Sequence, residues 1–414
     1  MMPAHQTVLL RSAALEANLD WWRRKCTAGS RRKKSGVLLT TRREAIAWMG
    51  AAATLTRAGA AFADTGFPVP RYKGAMIIDA LGGPGGVDPS APEDAPLSAR
   101  ALADVRASGV TAVNVTVNAV GNGPDRFEKT VDSIAVMERE VAAHPEVFLK
   151  VLRAGDLSLA KSSGRMGLIY GFQDTSMLDG DLTRLSVFHD LGLRICQVTY
   201  NRRNLMGDGC MEESDAGLSR LGLEFIAEVN RLRVVLDLSH SGRRTIAEGI
   251  AASKAPMVIS HTGCRALADL PRNTDDSALK SLADKGGVAG IYFMPFLRAS
   301  GQPHAEDVML HLEHAVNVCG EDHVGVGTDG AISGIEINEA YRDWFRKSVE
   351  DRVKAGISAP GESPDVYTLI PEYNEPLRFA RMADDLARRG WKSARIEKIL
   401  GANFARLFSE VWTG

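Results

Sequence analysis

With 414 residues, 45% of them hydrophobic and 24% charged, the chain has a globular composition and enough length for one large core or two smaller ones. Its 50 basic and 51 acidic residues leave a formal charge of −1, so the basic excess that marks a nucleic-acid-binding protein is missing. Five cysteines (Cys26, Cys196, Cys210, Cys264, Cys319), odd in number and without CxxC spacing, argue against a disulfide framework or a zinc knuckle.

The first sixty-odd residues read as an export signal rather than as fold. TRREAIA at 41–47 carries the pair Arg42–Arg43, and Ala45 to Ala63 is an alanine-rich, weakly apolar run that ends in AFA before Asp64. A paired arginine, a modest apolar region and small residues at its end describe a twin-arginine signal cleaved near Ala63. Residues 1–63 are therefore expected to be a tail and signal, and 64–414 a single periplasmic domain. The competing reading is a membrane anchor. Arg57 lies inside the run, and a central arginine costs about 2.5 kcal/mol or more on insertion scales, which alanine cannot offset; no stable anchor is expected. The segment 1–40, with RRKK at 31–34, is an overextended start or a basic tail. Twin-arginine cargo crosses folded, so unpaired thiols can be buried in reduced form beforehand.

Beyond the linker GFPVPRYKG, apolar runs recur at regular intervals: AMIIDAL (75–81), VTAVNVTV (110–117), VFLKVL (147–152), MGLIYGFQ (166–173) and RICQVTY (194–200). RVVLDLSH (233–240), PMVISH (256–261), GVAGIYFM (287–294) and HVGVGTD (323–329) follow. Most precede a stretch of helical periodicity, such as RFEKTVDSIAVMEREVAAH or AEDVMLHLEHAVNVCG. Strands alternating with helices predict a parallel sheet with helices outside, and eight such units close an α/β barrel of the TIM-like (β/α)8 kind. Of the nine runs, VFLKVL is the expected extra, being short and holding Lys150. An open doubly wound sheet is the alternative, but no GxGxxG follows the first run. Some forty residues after Asp329 precede the next clear helix; an insertion there would lie over the barrel mouth and help form a pocket. Two amphipathic helices, PLRFARMADDLARRG and SARIEKILGANFARLFSEVW, are expected to pack on the outer ring.

Two of the runs, VVLDLSH and MVISH, each end in a histidine, His240 and His261. In a parallel βαβ unit both strand ends point to the same side, so two imidazoles at the same register can face one cavity. A satisfied core histidine is the bland reading of either one taken alone.

VNRLRVVLDLSH, SHT with RAL and PRNTDD behind it, the Gly-Gly before a strand, VGVGTD and the closing GANFARL together resemble the renal (membrane) dipeptidase family of metallopeptidases, over about 75 to 412. The resemblance implies a TIM-like barrel of the metal-dependent hydrolase type, a dipeptide or small amide as substrate, and two zinc ions in the typical member. Carried over by residue, His240 and His261 match the two histidines that ligate one zinc. Asp329 matches the carboxylate that handles the proton of the attacking water and of the leaving amine, and Arg272 the arginine that holds the substrate carboxylate. The departures are as informative. Leu81 and Gly83 stand where the family has an HxD pair, Gln173 replaces the bridging glutamate, and Tyr200 replaces the histidine at the tetrahedral oxygen. Asp79, just before the lost HxD pair, reads as structural.

Two carboxylates and an imidazole are thus gone from the metal-ligand positions, and a neutral amide oxygen is a poor bridge between hard cations. The expectation is at most one zinc, held by His240, His261, Asp329 and Gln173, with a metal-free pocket as the alternative. Tyr200 offers a hydroxyl that can donate to an oxyanion. Arg272 could instead pair with Asp269 or Asp275 on the surface, and Cys264 reads better as a small buried thiol than as a ligand. The resulting expectation is an exported metallodipeptidase acting on a small substrate with a free carboxylate, homodimerisation being compatible with it. The alternative is a relative that has lost peptide hydrolysis and binds, or otherwise transforms, a modified amino acid.

Overall fold

In the computed structural model, which describes residues 72, 74–92 and 95–413, the apolar runs become short parallel strands. In chain order these are β1 (Ile78–Asp79), β2 (Gly82–Gly83), β3 (Ala112–Thr116), β4 (Phe148–Lys150), β5 (Met166–Phe172), β6 (Leu193–Gln197), β7 (Val235–Asp237), β8 (Val258–Thr262), β9 (Val288–Ile291), β10 (Val324–Val326) and β11 (Gly330–Ala331). All belong to the unit Gly66–Gly414. The export signal expected in 1–63 lies outside the described residues.

Eight strands follow one another in the order β1-β3-β5-β6-β7-β8-β9-β10, and β4 pairs with β5 off this path. β4 lies along Met166 to Leu168 while β6 takes Tyr170 to Phe172, so the two share one edge of the longest strand. The VFLKVL run is therefore the ninth strand, outside the barrel. The last strand returns to the first: Ala80 N donates to Val326 O at 3.0 Å and Asp329 N to Leu81 O at 2.8 Å, while β2 pairs with β11. The result is a nearly closed barrel of eight parallel strands, the TIM-like α/β fold expected of alternating strands and helices.

The barrel floor is built on the first residues of the strands. Ile78, Ala112, Val235, Val258 and Val288, each at the start of its strand, form one buried cluster with Phe404, Leu407 and Phe408. This corrects the expectation of an outer-ring position for the last helix, Asn403–Val411, whose apolar face packs against the floor. Nor is SARIEKILGANFARLFSEVW one helix: Ser393–Glu397 passes through a wider turn at Lys398–Ala402 before Asn403–Val411 begins. A Cβ at Gly401 would stand 2.5 Å from Ile78 N, so only glycine lets this turn press against the first strand. A larger cluster, with Val113, Val115, Leu168 and Tyr170 among its strand residues, packs against the surrounding helices.

The segment after Asp329 is not irregular throughout. It holds the sixteen-residue helix Glu339–Lys354, capped by Asn338, whose side chain accepts from Tyr341 N at 2.9 Å. Tyr341, Phe345 and Val349, spaced four apart, form a small buried cluster with Ile335, Ile337 and Tyr367.

Candidate active site

The seam of the barrel is held by Asp79. Its carboxylate accepts Thr328 N–H at 2.8 Å, the Thr328 hydroxyl at 2.6 Å and Leu81 N–H at 3.3 Å, tying the first strand to the residue before Asp329. Burial pushes this carboxyl up to about 7, against the opposing pull of the hydrogen bonds and of Arg378. A Cβ at Gly82 would fall 2.7 Å from Asp79 Oδ2, which accounts for one glycine of the pair. Gly83 meets nothing within 4 Å, so the missing carboxylate at that position is not a matter of space.

The two histidines are presented by a second buried carboxylate. Asp237 accepts Ser239 N, Ser239 Oγ and Ser260 N on Oδ1, at 2.9, 2.7 and 3.1 Å, and Ser260 Oγ on Oδ2 at 2.6 Å. The serine before each histidine thereby pins β7 to β8, and the imidazoles come together with ring centroids 4.8 Å apart. His240 adopts φ 62°, a left-handed backbone that costs energy in a non-glycine residue; Asp329, with φ 56°, does the same. Such strain concentrates at functional positions.

The hydrogen-bond network assigns both tautomers. Asn201 Nδ2 donates to Ile357 O at 2.7 Å, so its Oδ1 is the acceptor that faces His240 Nδ1 at 2.6 Å. Nδ1 therefore carries the proton and Nε2 the lone pair, which Arg272 Nη2 fills at 3.0 Å. For His261, the Ser260 hydroxyl is committed to Asp237, so Nδ1–H donates to Ser260 Oγ at 2.8 Å. His261 Nε2 is then a buried lone pair without a partner. Burial, with Arg272 adding to it, holds both imidazoles well below the usual histidine range, and both are neutral.

Arg272 is only 3% exposed, with its guanidinium 5.8 Å from the ring centroids of Tyr292 and Phe296. The surface pairing with Asp269 or Asp275 is overturned, since these carboxylates face Arg265 and Arg243. Gln173 is engaged with its neighbours on the adjoining strand end. Its side-chain amide donates to Thr116 Oγ1 at 2.8 Å, and its backbone N–H to Asn118 Oδ1. Cys264 is buried, its thiol 3.5 Å from His311 O.

Against Tyr200 and Asp329 opens a cavity of about 400 Å³, which His240, His261, Arg272 and Gln173 do not line; its volume is within the range of small-molecule sites. Its polar face is Tyr200, Asp329, Arg352 and Glu362; Leu81, Val87, Met294, Trp344 and Phe345 are on the apolar side. Burial raises the Asp329 carboxyl to about 6, with Arg272 and Arg352 pulling it down and Glu362 pushing it up. Tyr200 stacks on His240 with centroids 4.1 Å apart, and its hydroxyl oxygen accepts from Arg352 Nη1 and Nη2 at 3.3 Å. Arg352 in turn is gripped by Glu362, Nε to Oε2 at 2.7 Å and Nη2 to Oε1 at 2.9 Å. With its oxygen so engaged, the Tyr200 O–H proton is left to donate into the cavity.

Sequence reasoning did not single out Arg352, Glu362, Asn201 or Asp237. For Arg352 a signal existed: Asn338 as cap, Glu339 in the first turn and apolar residues at 341, 345 and 349 mark a helix whose last turn carries it. Asn201 acts through contacts distant in sequence, to His240 and Ile357, which no local pattern announces, and Glu362 lies in the loop just beyond that helix.

A parallel barrel with candidate residues on the carboxyl ends of its strands and a cavity over them has the architecture of a barrel enzyme. A model of the membrane dipeptidase family (peptidase family M19) matches residues 95–347, and the chain belongs to that family. An uncharacterized dipeptidase of Schizosaccharomyces pombe is 30% identical over 235 residues, covering 53% of this chain. The match spans 56% of that relative, little more than half its length. Among solved structures, an amidohydrolase from Pseudomonas aeruginosa superimposes with a TM-score of 0.70 at 29% identity, over 84% of this chain and 99% of the other. A metallo peptidase from Rhodobacter sphaeroides, liganded with a phosphinate mimic of the dipeptide L-Ala-D-Ala, gives 0.66 at 18% identity, over 82% and 99%. That likeness is one of fold alone.

The donors present do not fit the two-zinc centre that the family implies. Leu81 and Gly83 supply no ligand, the Gln173 amide is on Thr116, and His240 Nε2 is already occupied by a guanidinium N–H. Among the described residues no three His, Cys, Asp or Glu side chains are grouped to hold a metal. The orphaned His261 Nε2 is a single donor, which is not a site.

Proposed function

We propose that this chain is a hydrolase of the dipeptidase type, acting on a dipeptide or similar small amide with a free carboxylate and an apolar side group. The observation that carries the reading is the Asp329 carboxyl, raised to about 6 on the wall of a 400 Å³ cavity at the strand ends. A carboxyl of that strength can both accept and return a proton near neutrality. Asp329 takes a proton from the attacking water as its oxygen adds to the carbonyl carbon, and passes one to the nitrogen as the C–N bond breaks. The Tyr200 hydroxyl donates to the carbonyl oxygen as it gains charge. The resemblance gives the substrate carboxylate to Arg272, whose guanidinium donates to His240; Arg352, paired with Glu362 on the cavity wall, is the cation the cavity itself offers, through its Nη1. Trp344 and Phe345 receive the apolar group.

The proposal includes export: residues 1–63 as tail and twin-arginine signal, 64–414 as the mature periplasmic domain. No helix among the described residues is long and apolar enough to cross a membrane. The lost carboxylate positions favour the competing reading, a relative that binds a modified amino acid without cleaving it. Screening residues 64–414 for amine release from dipeptides and N-acyl amino acids, with Asp329→Asn on every hit, separates the two. A hydrolase loses roughly a hundredfold or more in turnover, the scale of one general acid–base group, with binding little changed. Ligands that bind the protein but are never turned over would establish the binding reading.

A further inference from the structure

We infer that Arg272 has taken the place of the metal in this chain: His240 and His261 no longer ligate an ion, and the positive charge beside them is a guanidinium held by an imidazole lone pair.

Three observations converge on this. First, the lone pair of His240 that would ligate is filled. Asn201 fixes the proton on Nδ1, and Arg272 Nη2 donates to Nε2 at 3.0 Å, so an ion reaching this nitrogen must expel the arginine. Second, Arg272 is buried with no carboxylate in contact. It is 3% exposed and forms no ion pair within 4 Å among the described residues; the rings of Tyr292 and Phe296 and the Cys210 thiol are near it, and its charge is felt by Asp329. A buried guanidinium needs acceptors, and His240 Nε2 is one. The Nε2 of His261, on a ring 4.8 Å from that of His240, stays without a partner, so His240 alone accepts from the guanidinium. Third, the changes elsewhere all reduce negative charge or donor strength, as a single positive charge in place of two divalent ions requires. Leu81 and Gly83 remove an imidazole and a carboxylate and Gln173 removes another carboxylate, while Gly83 still has room for a side chain. A site that had merely lost one ligand would keep the counter-charges of the rest. Here two counter-charges and one coordinating nitrogen have gone together.

The inference goes beyond the hydrolase reading, and its test uses no turnover. Residues 64–414 are purified, incubated with excess zinc, dialysed and analysed for metal, and the ring nitrogens of His240 and His261 are followed by NMR during the zinc titration. Less than a tenth of an equivalent of zinc, an unshifted Tm with zinc or chelator, and unmoved ring nitrogens are expected. One or more equivalents retained, with both histidine rings shifted, would overturn the inference. In Arg272→Met the His240 Nε2 resonance should move, because its donor is gone; a resonance that stays in place would show that Arg272 is not its partner and also overturn it. Should Arg272→Met not fold, Arg272→Leu, which also removes the donor, carries the same comparison. The wild-type zinc result stands without either variant.

Discussion

Asp79 closes the barrel with a carboxyl that burial has raised from 3.8 to about 7, and Asp79→Asn tests whether burial or hydrogen bonding dominates at the seam. Its ionisation is costly in the folded chain and free in the unfolded one. The stability it lends is therefore fully present below about pH 4 and is lost as pH rises towards 7. Three units at about 1.4 kcal/mol each give a total of about 4 kcal/mol for a residue 1% exposed. Asparagine is nearly isosteric and stays neutral. Its Oδ1 can accept Thr328 N–H and Leu81 N–H, and its Nδ2 can donate to Thr328 Oγ1, so the contacts of the protonated acid survive. Urea denaturation at pH 5 and pH 8 measures the effect, other titrating groups cancelling in the difference. The variant should gain on the wild type by about 2–3 kcal/mol between the two pH values. A gap that closes or reverses at pH 8 would show that three hydrogen bonds hold Asp79 ionised, and that burial has been overweighted.

Tyr200→Phe removes the donor proposed for the developing oxyanion and should lower kcat about a hundredfold with KM little changed, measured by steady-state kinetics on a confirmed substrate. Trp344→Ala opens the apolar wall; KM should rise about tenfold for a substrate with a bulky apolar side group, the worth of part of a buried side chain, and stay constant for its alanine-sized counterpart. Arg42→Lys with Arg43→Lys should hold the precursor in the cytoplasm, and N-terminal sequencing of exported wild-type protein should begin near Asp64.

The barrel was legible because its strands are apolar runs at regular spacing, and because VFLKVL, with Lys150 inside it, stood apart from the other eight. The first strand was overread: AMIIDAL yields only Ile78–Asp79, since Asp79 turns the chain to reach Thr328 before β2 begins. The last helix was misplaced because an amphipathic stripe shows that a face is buried but not against what; Phe404 and Phe408 meet the floor of the barrel, not its flank. At the site, the spacing of His240, His261 and Asp329 sufficed to bring them to one end of the barrel. The occupant of His240 Nε2 depends on the orientation of an arginine 32 residues away, which no pattern in the chain encodes. Arg352 and Glu362 were hidden in a segment whose helix is mostly charged, with a narrow apolar stripe.

The pH dependence of kcat/KM, compared between wild type and Asp329→Asn on one substrate from the dipeptide screen, tests the proposed chemistry most directly. With Asp329 as proton acceptor, activity should rise with pH through about 6, where its carboxyl ionises. That limb should be missing from the residual activity of the variant. A limb that persists unchanged in Asp329→Asn, or a variant with full turnover, would place the proton transfer on another group at the barrel mouth.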